Sequence, residues 1–330
     1  MEISQPLRQP FERLIRAMSK YLPEALAGEV EPLHQVRVTT RRLREILPLC
    51  ACEIPRDLAN RSRRRVRRVG RLLGRVREID VSIEVVRELI KTEFVDRFSG
   101  QRLEQCLLDE REECRERMLD RLSSVNTRKL ERDLADIAKV LGMRQETDIW
   151  ARMLAVRIER RSEDLCQAVV EAGALYISDR VHCVRIAAKK LRYALELSQD
   201  TGEARIRSSV RELKGVQKLL GDLHDLEVLG TIIQDLTMPS ADGIGDSTNN
   251  ELEALRLALD GKCRELHGQY VARRDSLLQL CQSAVKVAAR IWIDRGGEAL
   301  AKDTKCENGR VLRMTIPVVK QVNLTNVDRS

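Results

Sequence analysis

The segment His34-Gln35-Val36-Arg37-Val38-Thr39-Thr40-Arg41-Arg42-Leu43-Arg44-Glu45-Ile46 has a counterpart 148 positions further on, His182-Cys183-Val184-Arg185-Ile186-Ala187-Ala188-Lys189-Lys190-Leu191-Arg192-Tyr193-Ala194. With the histidine as zero, cations stand at offsets 3, 7 and 10 in both copies. At 3.6 residues per turn these four side chains share an arc about 80° wide. The next arc is apolar: Leu33, Val36, Leu43 and Leu47 in the first copy, Val181, Val184, Leu191 and Leu195 in the second. That is the period of an amphipathic helix, with a basic stripe bordering the buried face. Such a stripe suits the wall of a groove, where aliphatic stems pack and charged heads reach water. Arg42 and Lys190 lie off the arc, where they either flank the groove or stand in solvent.

The repeat continues downstream. Arg64, Arg67 and Arg71, then Leu72-Leu73-Gly74 and Arg77-Glu78-Ile79-Asp80-Val81, align at a shift of 147 with Arg211, Lys214 and Lys218, then Leu219-Leu220-Gly221 and His224-Asp225-Leu226-Glu227-Val228. The leading cations again fall at offsets 0, 3 and 7, one face of a helix. Two helices per half therefore carry a short basic stripe, and a repeated stripe of one sign predicts a duplicated anion-binding surface. Leu73-Gly74 and Leu220-Gly221 are expected to allow close helix packing.

Composition sets the fold class. The 330 residues are 43% hydrophobic and 33% charged with only 3% aromatics, rich in Leu, Arg, Glu and Ala, which is the signature of an all-α protein. Periodicity and turn signals place helices near 5–28, 31–50, 56–91 and 100–124, then 146–172, 178–199, 204–236 and 249–290. Pro32 and Pro55 sit where helices begin, Ser178 and Asp179 are placed as caps, and 238–247 reads as a loop. The architecture that follows is two four-helix bundles related by internal duplication: 1–125 and 146–290, joined by a short linking helix over 126–145 and followed by a tail, 291–330. The one β-like stretch, 311–319, is too short to make a sheet alone.

Charge is local. Residues 31–77 hold fourteen Arg against four acids, and residues 178–218 hold ten Lys or Arg against five, while the whole chain carries only +8. A polyanionic partner is the simplest reading. The nine cysteines include no Cys-x-x-Cys pair and read as reduced thiols, which points to the cytoplasm. Cys50-Ala51-Cys52, His224 and His267 lack the spacing of a metal site, so no metal or other cofactor is expected. The start of the chain shows no signal peptide, and Lys286 and Arg290 interrupt the longest apolar run, so no membrane partner is expected.

These residues resemble the CHAD family, the conserved histidine α-helical domain, whose pattern is His-x-x-Arg-(Val/Ile)-x-x-(Lys/Arg)-(Lys/Arg)-Leu-Arg followed by Leu-Gly-x-x-Arg-Asp-x-Asp-Val. Both halves match over roughly 5–290. Glu78 stands where the family has Asp, and His224 and Glu227 depart in the second copy; the acids read as structural. The resemblance implies paired four-helix bundles with a basic central surface that binds inorganic polyphosphate and directs the protein to polyphosphate granules. The Glu-x-Glu-x-Lys pattern of the triphosphatase domain that precedes many CHAD regions does not occur at the N-terminus, so that enzyme's activity is not expected.

The candidate polyphosphate ligands are His34, Arg37, Arg41, Arg42, Arg44, Arg64, Arg67 and Arg71, with His182, Arg185, Lys189, Lys190, Arg192, Arg211, Lys214 and Lys218. Arg forks onto two phosphate oxygens and Lys supplies a mobile point charge, a mixture suited to a uniform flexible polymer. Each histidine either donates N–H to a phosphate or serves as a hydrogen-bonded structural residue. Neither a nucleophile elbow nor a Gly-rich phosphate loop is present, so a binding protein is expected, not an enzyme. Nucleic acid, as a weaker polyanion, and an acidic protein docked on a helical scaffold are the alternative partners. Only nine aromatics are available for base stacking.

Overall fold

The structure is a computed structural model that describes residues 6–143, 148–202, 206–237, 246–296, 300–306 and 309–315. The first half comprises α1 (Arg8–Ala27), α2 (Val30–Cys50), α3 (Arg56–Leu72), α4 (Gly74–Lys91), α5 (Arg97–Ser123) and α6 (Thr127–Met143). The second comprises α7 (Ile149–Ala172), α8 (Ser178–Asp200), α9 (Arg207–Thr237), α10 (Asp246–Val271) and α11 (Arg274–Asp294). The chain is all-α apart from an antiparallel pair at its end, β1 (Leu300–Cys306) with β2 (Gly309–Thr315), in register from Leu300 opposite Thr315 to Cys306 opposite Gly309. The β-like stretch expected over 311–319 falls in β2 up to Thr315, with 316–319 outside the described residues; its partner β1 is not expected from the sequence, because Lys302, Asp303 and Lys305 obscure any β pattern there.

The helix expected over 56–91 divides at Leu73 into α3 and α4, so that with α6 the first half has six helices among the described residues, and the second has five. The segment predicted as a linker is α6, whose Leu130, Leu134, Ile137 and Leu141 are buried against α1 and α3. Its buried Asp133 takes Arg61, at 3.3 Å, and Arg65 of α3, which binds the helix into the first half. The segment predicted as one helix over 249–290 divides after Val271, without Pro or Gly at the break, so that α11 packs on α7. The order of neighbours is then the same in both halves: α6, α1, α2, α3 with α4, α5 in one, and α11, α7, α8, α9, α10 in the other.

The motif helices supply the core of each half. The apolar row of α2, Leu33, Val36, Leu43 and Leu47, is at most 1% exposed, and that of α8, Val181, Val184, Leu191 and Leu195, at most 2%. Each such side chain contributes about 1.5–3 kcal/mol by leaving water, so the faces opposite these rows are fixed toward the remaining surface. Gly28 ends α1 at φ 93°, a left-handed cap, and a Cβ there would collide with the Arg115 side chain. Arg111 donates to the Gly28 carbonyl at 2.9 Å and to buried Asp80 at 2.5 Å, joining α5 to α1 and α4.

The halves meet along one seam. Here α2 touches α7 and α8, α4 touches α9, and α5 touches α10. Arg157 of α7 forks onto Glu45 of α2 with its Nη2 at 2.6 Å, and Ser99 donates to Glu251 at 2.6 Å. Both motif helices are thereby brought side by side at the centre of the molecule.

Candidate functional site

Four cations meet across the seam: Arg37 and Arg41 of α2, Arg185 and Lys189 of α8. The Arg41 charge acts on His34, Arg37, Arg185 and Lys189 alike, so the two stripes share one field across the seam, the candidate groove. Among the described residues, none of the four has a carboxylate within 4 Å. The Nε atoms of Arg37, Arg41, Arg185 and Arg192 are buried without a hydrogen-bond partner.

Unpaired, half-buried cations pay for their position, and their acidities record it. Burial, with Arg41 next, lowers Arg37 to about 10. Burial and then Arg185 and Arg41 lower Lys189 to about 7. Arg185 and Arg44 are lowered as well, burial being first in both, although Asp225 opposes it at Arg185. A polyanion entering the groove would reverse every one of these repulsions.

Local folding holds the cations in place. Arg37 donates from Nη1 to the Gly70 carbonyl at 3.2 Å, in the last turn of α3, where the helix dipole favours a cation. At Gly70 the helices approach so closely that a Cβ would lie 3.0 Å from Thr40 Oγ1. The counterpart of Gly70 is Gln217, which donates to the Ala188 carbonyl at 2.9 Å within an unbroken α9. The same contact is thus made by a bare backbone in one half and by a side chain in the other. Of the two glycines expected to permit close packing, Gly74 instead makes room for the Arg37 guanidinium, 3.1 Å from its would-be Cβ, and Gly221 faces open space.

The remaining sequence-derived candidates separate into groups. Arg42, Arg192 and Lys214 share one carboxylate, Glu196, at 3.5, 2.9 and 3.7 Å, so cations from both halves are tied to one internal anion. Arg192 also lies 4.6 Å from the centre of the Tyr193 ring. Arg44 feels Arg67 and Arg63 of α3, which continues the basic surface outward. Arg64, Lys190, Arg211 and Lys218 are exposed, with Lys218 beside Asp222. Arg71 does not join the groove: it lines a separate cleft against α5.

The histidines sit beside equivalent positions of the partner helix. His182 packs on His224 with ring centres 4.8 Å apart, and His34 feels Arg77, the residue aligned with His224. Burial first, then these neighbours, lowers both pKa values. Glu227 faces His224 at 3.7 Å and accepts from the Tyr176 hydroxyl at 2.8 Å. The acids of the second block are therefore structural where buried: Asp80 holds Arg111 and Glu227 holds Tyr176. Ser178 does not cap α8, whose N-cap is Ile177 without a side-chain bond; its hydroxyl bonds Glu227 instead. Sequence reasoning left Arg77, His224, Asp225 and Glu196 out of the site, although the 147-residue shift already paired Arg77 with His224. His267 packs between Tyr176 and Tyr270 at 5.0 and 5.9 Å. Among the described residues no group of three His, Cys, Asp or Glu is placed to hold a metal, and no helix is long and apolar enough to cross a membrane.

The fold and the groove define an all-α protein whose two halves set unpaired cations against each other. A family model for the CHAD domain matches residues 10–234, and the chain belongs to that family. It is similar in structure to the CHAD domain from the plant Ricinus communis, at 20% identity and TM-score 0.59 over 84% of this chain and 91% of that one. It is also similar to PptA from Streptomyces chartreusis, at 16% identity and TM-score 0.52 over 86% and 96%. No curated protein matches it.

Proposed function

We propose that the groove binds inorganic polyphosphate without cleaving it, and that such binding recruits the protein to polyphosphate granules. The observation that carries this reading is the set Arg37, Arg41, Arg185 and Lys189, gathered from both halves with no carboxylate within 4 Å among the described residues, Asp225 acting on Arg185 and Lys189 only from further away. A folded chain rarely retains unpaired, partly buried cations in its own interest, because self-repulsion opposes folding. A polymer carrying a charge on every repeat offsets that repulsion along the full length of the stripes. Membership of the CHAD family, which is linked to polyphosphate, points the same way. On this reading the groove is a binder whose cations would neutralise a ground-state anion.

Competition tests the assignment. Labelled long-chain polyphosphate is bound to the full chain at two salt concentrations and challenged with RNA, DNA, heparin and an acidic polypeptide, matched by charge. Polyphosphate should resist all four. Charge reversal at Arg37→Glu/Arg185→Glu should weaken binding about 100-fold or more, from the loss of two charge-assisted contacts at about 1.5–3 kcal/mol each. Displacement by an equal charge of RNA would transfer the groove to nucleic-acid backbones, and displacement by the polypeptide would transfer it to an acidic protein.

A further inference from the structure

A second basic site lies outside the groove. The helix formed by α3 and α4 breaks at Leu73, while α5 continues as one rod of 27 residues. Between the break and the C-terminal half of α5 a cleft of about 630 Å³ opens. Arg68, Arg71 and Arg75 line it from one side and Arg117 and Arg121 from the other, against a single acid, Glu110. Both ends are braced: Arg75 reaches Glu110 at 2.5 Å, and Arg68 donates to Ser124 at 2.8 Å. Between the braces, Arg71 and Arg121 have no carboxylate within 4 Å among the described residues, and Arg117 has only exposed Glu113 at 3.6 Å. The floor is apolar, made by Leu72, Cys114 and Met118.

We propose that this cleft is a separate binding site for the oligophosphate group of a phosphorylated molecule, about the length of a triphosphate. The volume falls within the range of small-molecule sites, about 300–1,000 Å³. Arginines converging from three helices present forks to one anion, whereas arginines spread on a solvated surface pair with neighbouring acids, as Arg264 does with Asp260 at 3.0 Å. The apolar floor accommodates the body of an organic phosphate such as a nucleotide. The same oligophosphate chemistry is presented by a free nucleoside triphosphate and by the end of a polyphosphate chain, and the proposal stands independently of the ligand of the groove.

Calorimetric titration of the full chain with sodium tripolyphosphate and with ATP, without added metal, tests it. The comparison uses wild type, Arg117→Glu/Arg121→Glu and the milder Arg117→Gln/Arg121→Gln, and the groove variant Arg37→Glu/Arg185→Glu, each checked by thermal unfolding. One site of micromolar affinity should survive in the groove variant, weaken at least tenfold in the glutamine variant, and vanish in the glutamate variant. ATP binding at least as tightly as tripolyphosphate identifies a nucleotide-like ligand. Tripolyphosphate binding alone, with long-chain affinity also falling in the cleft variants, identifies a polymer end. Loss of tripolyphosphate binding in the groove variant with retention in folded cleft variants would overturn the proposal, as would no binding to wild type at millimolar concentration. Competition at the groove is read separately, so either assignment can fail without the other.

Discussion

Replacing Lys189 by Met separates the cost of the groove from its use. Burial, Arg185 and Arg41 hold this ammonium at about 7, against 10.5 in an unstructured chain. Between those values the unfolded chain carries one proton more than the folded one, so the wild-type stability rises as pH climbs from 7 toward 10. At about 1.36 kcal/mol per pKa unit the penalty below pH 7 has a ceiling of about 5 kcal/mol. Movement of a flexible lysine toward water reduces this to an expected gain of about 1–2 kcal/mol for Lys189→Met, and about 2–4 °C in Tm near pH 6.5. The gain should shrink by pH 10, where the wild-type lysine is neutral in the folded protein. Binding should move oppositely: the variant lacks one charge-assisted contact to phosphate, worth about 1.5–3 kcal/mol or roughly 10- to 100-fold in affinity. Because the polyanion draws the lysine back to its charged form, wild type should take up nearly one proton on binding at pH 8, measured by calorimetry in buffers of different ionisation enthalpy, and the variant should take up correspondingly less. A lower Tm at pH 6.5 with unchanged affinity and proton uptake would refute the reasoning.

Three further outcomes follow from the geometry. Glu196→Gln releases Arg42, Arg192 and Lys214 from their shared carboxylate, so polyphosphate affinity should rise roughly 3- to 10-fold with a steeper salt dependence, and a fall in affinity would contradict the picture of an internal competitor. Asp80→Asn strands Arg111 between α4, α5 and the end of α1, so urea unfolding should show a loss of about 3 kcal/mol while the binding of the folded fraction is unchanged. The pKa values of His34 and His182 are depressed by burial and cationic neighbours, so both are largely neutral at pH 7.5 and gain charge only as pH falls. Polyphosphate affinity should therefore strengthen between pH 7.5 and 5.5 in wild type and do so less in His34→Ala/His182→Ala; equal pH profiles with a lowered Tm would assign the histidines a structural role alone.

Much of this protein is legible in one dimension because its signals are helical and local. The two motif helices follow from the 3.6-residue alternation of apolar and basic positions, and the burial of Leu33, Val36, Leu43 and Leu47 with their counterparts is the direct consequence. The helix expected over 126–145 is α6, and the same period, at Leu130, Leu134, Ile137 and Leu141, also carries its burial against α1 and α3, which reading it as a linker leaves out. The division between α10 and α11 had no such signal: no Pro or Gly marks it, and the turn is made by packing α11 on α7.

The pattern of residues determined an all-α chain, a repeated basic stripe on two helices of each half, and membership of the CHAD family. Only the tertiary structure decided which cations share a field. Sequence spacing treats Arg41, Arg67 and Arg71 alike and sets only Arg42 off the stripe, yet Arg41 faces Arg185 and Lys189, Arg42 is tied to Glu196 of the other half, Arg67 extends the groove past Arg44, and Arg71 belongs to a cleft against α5. The reason lies in range. Helical periodicity depends on neighbours three and four residues away, whereas the Coulomb field in the groove depends on side chains some 150 positions apart, brought together by the seam between the halves.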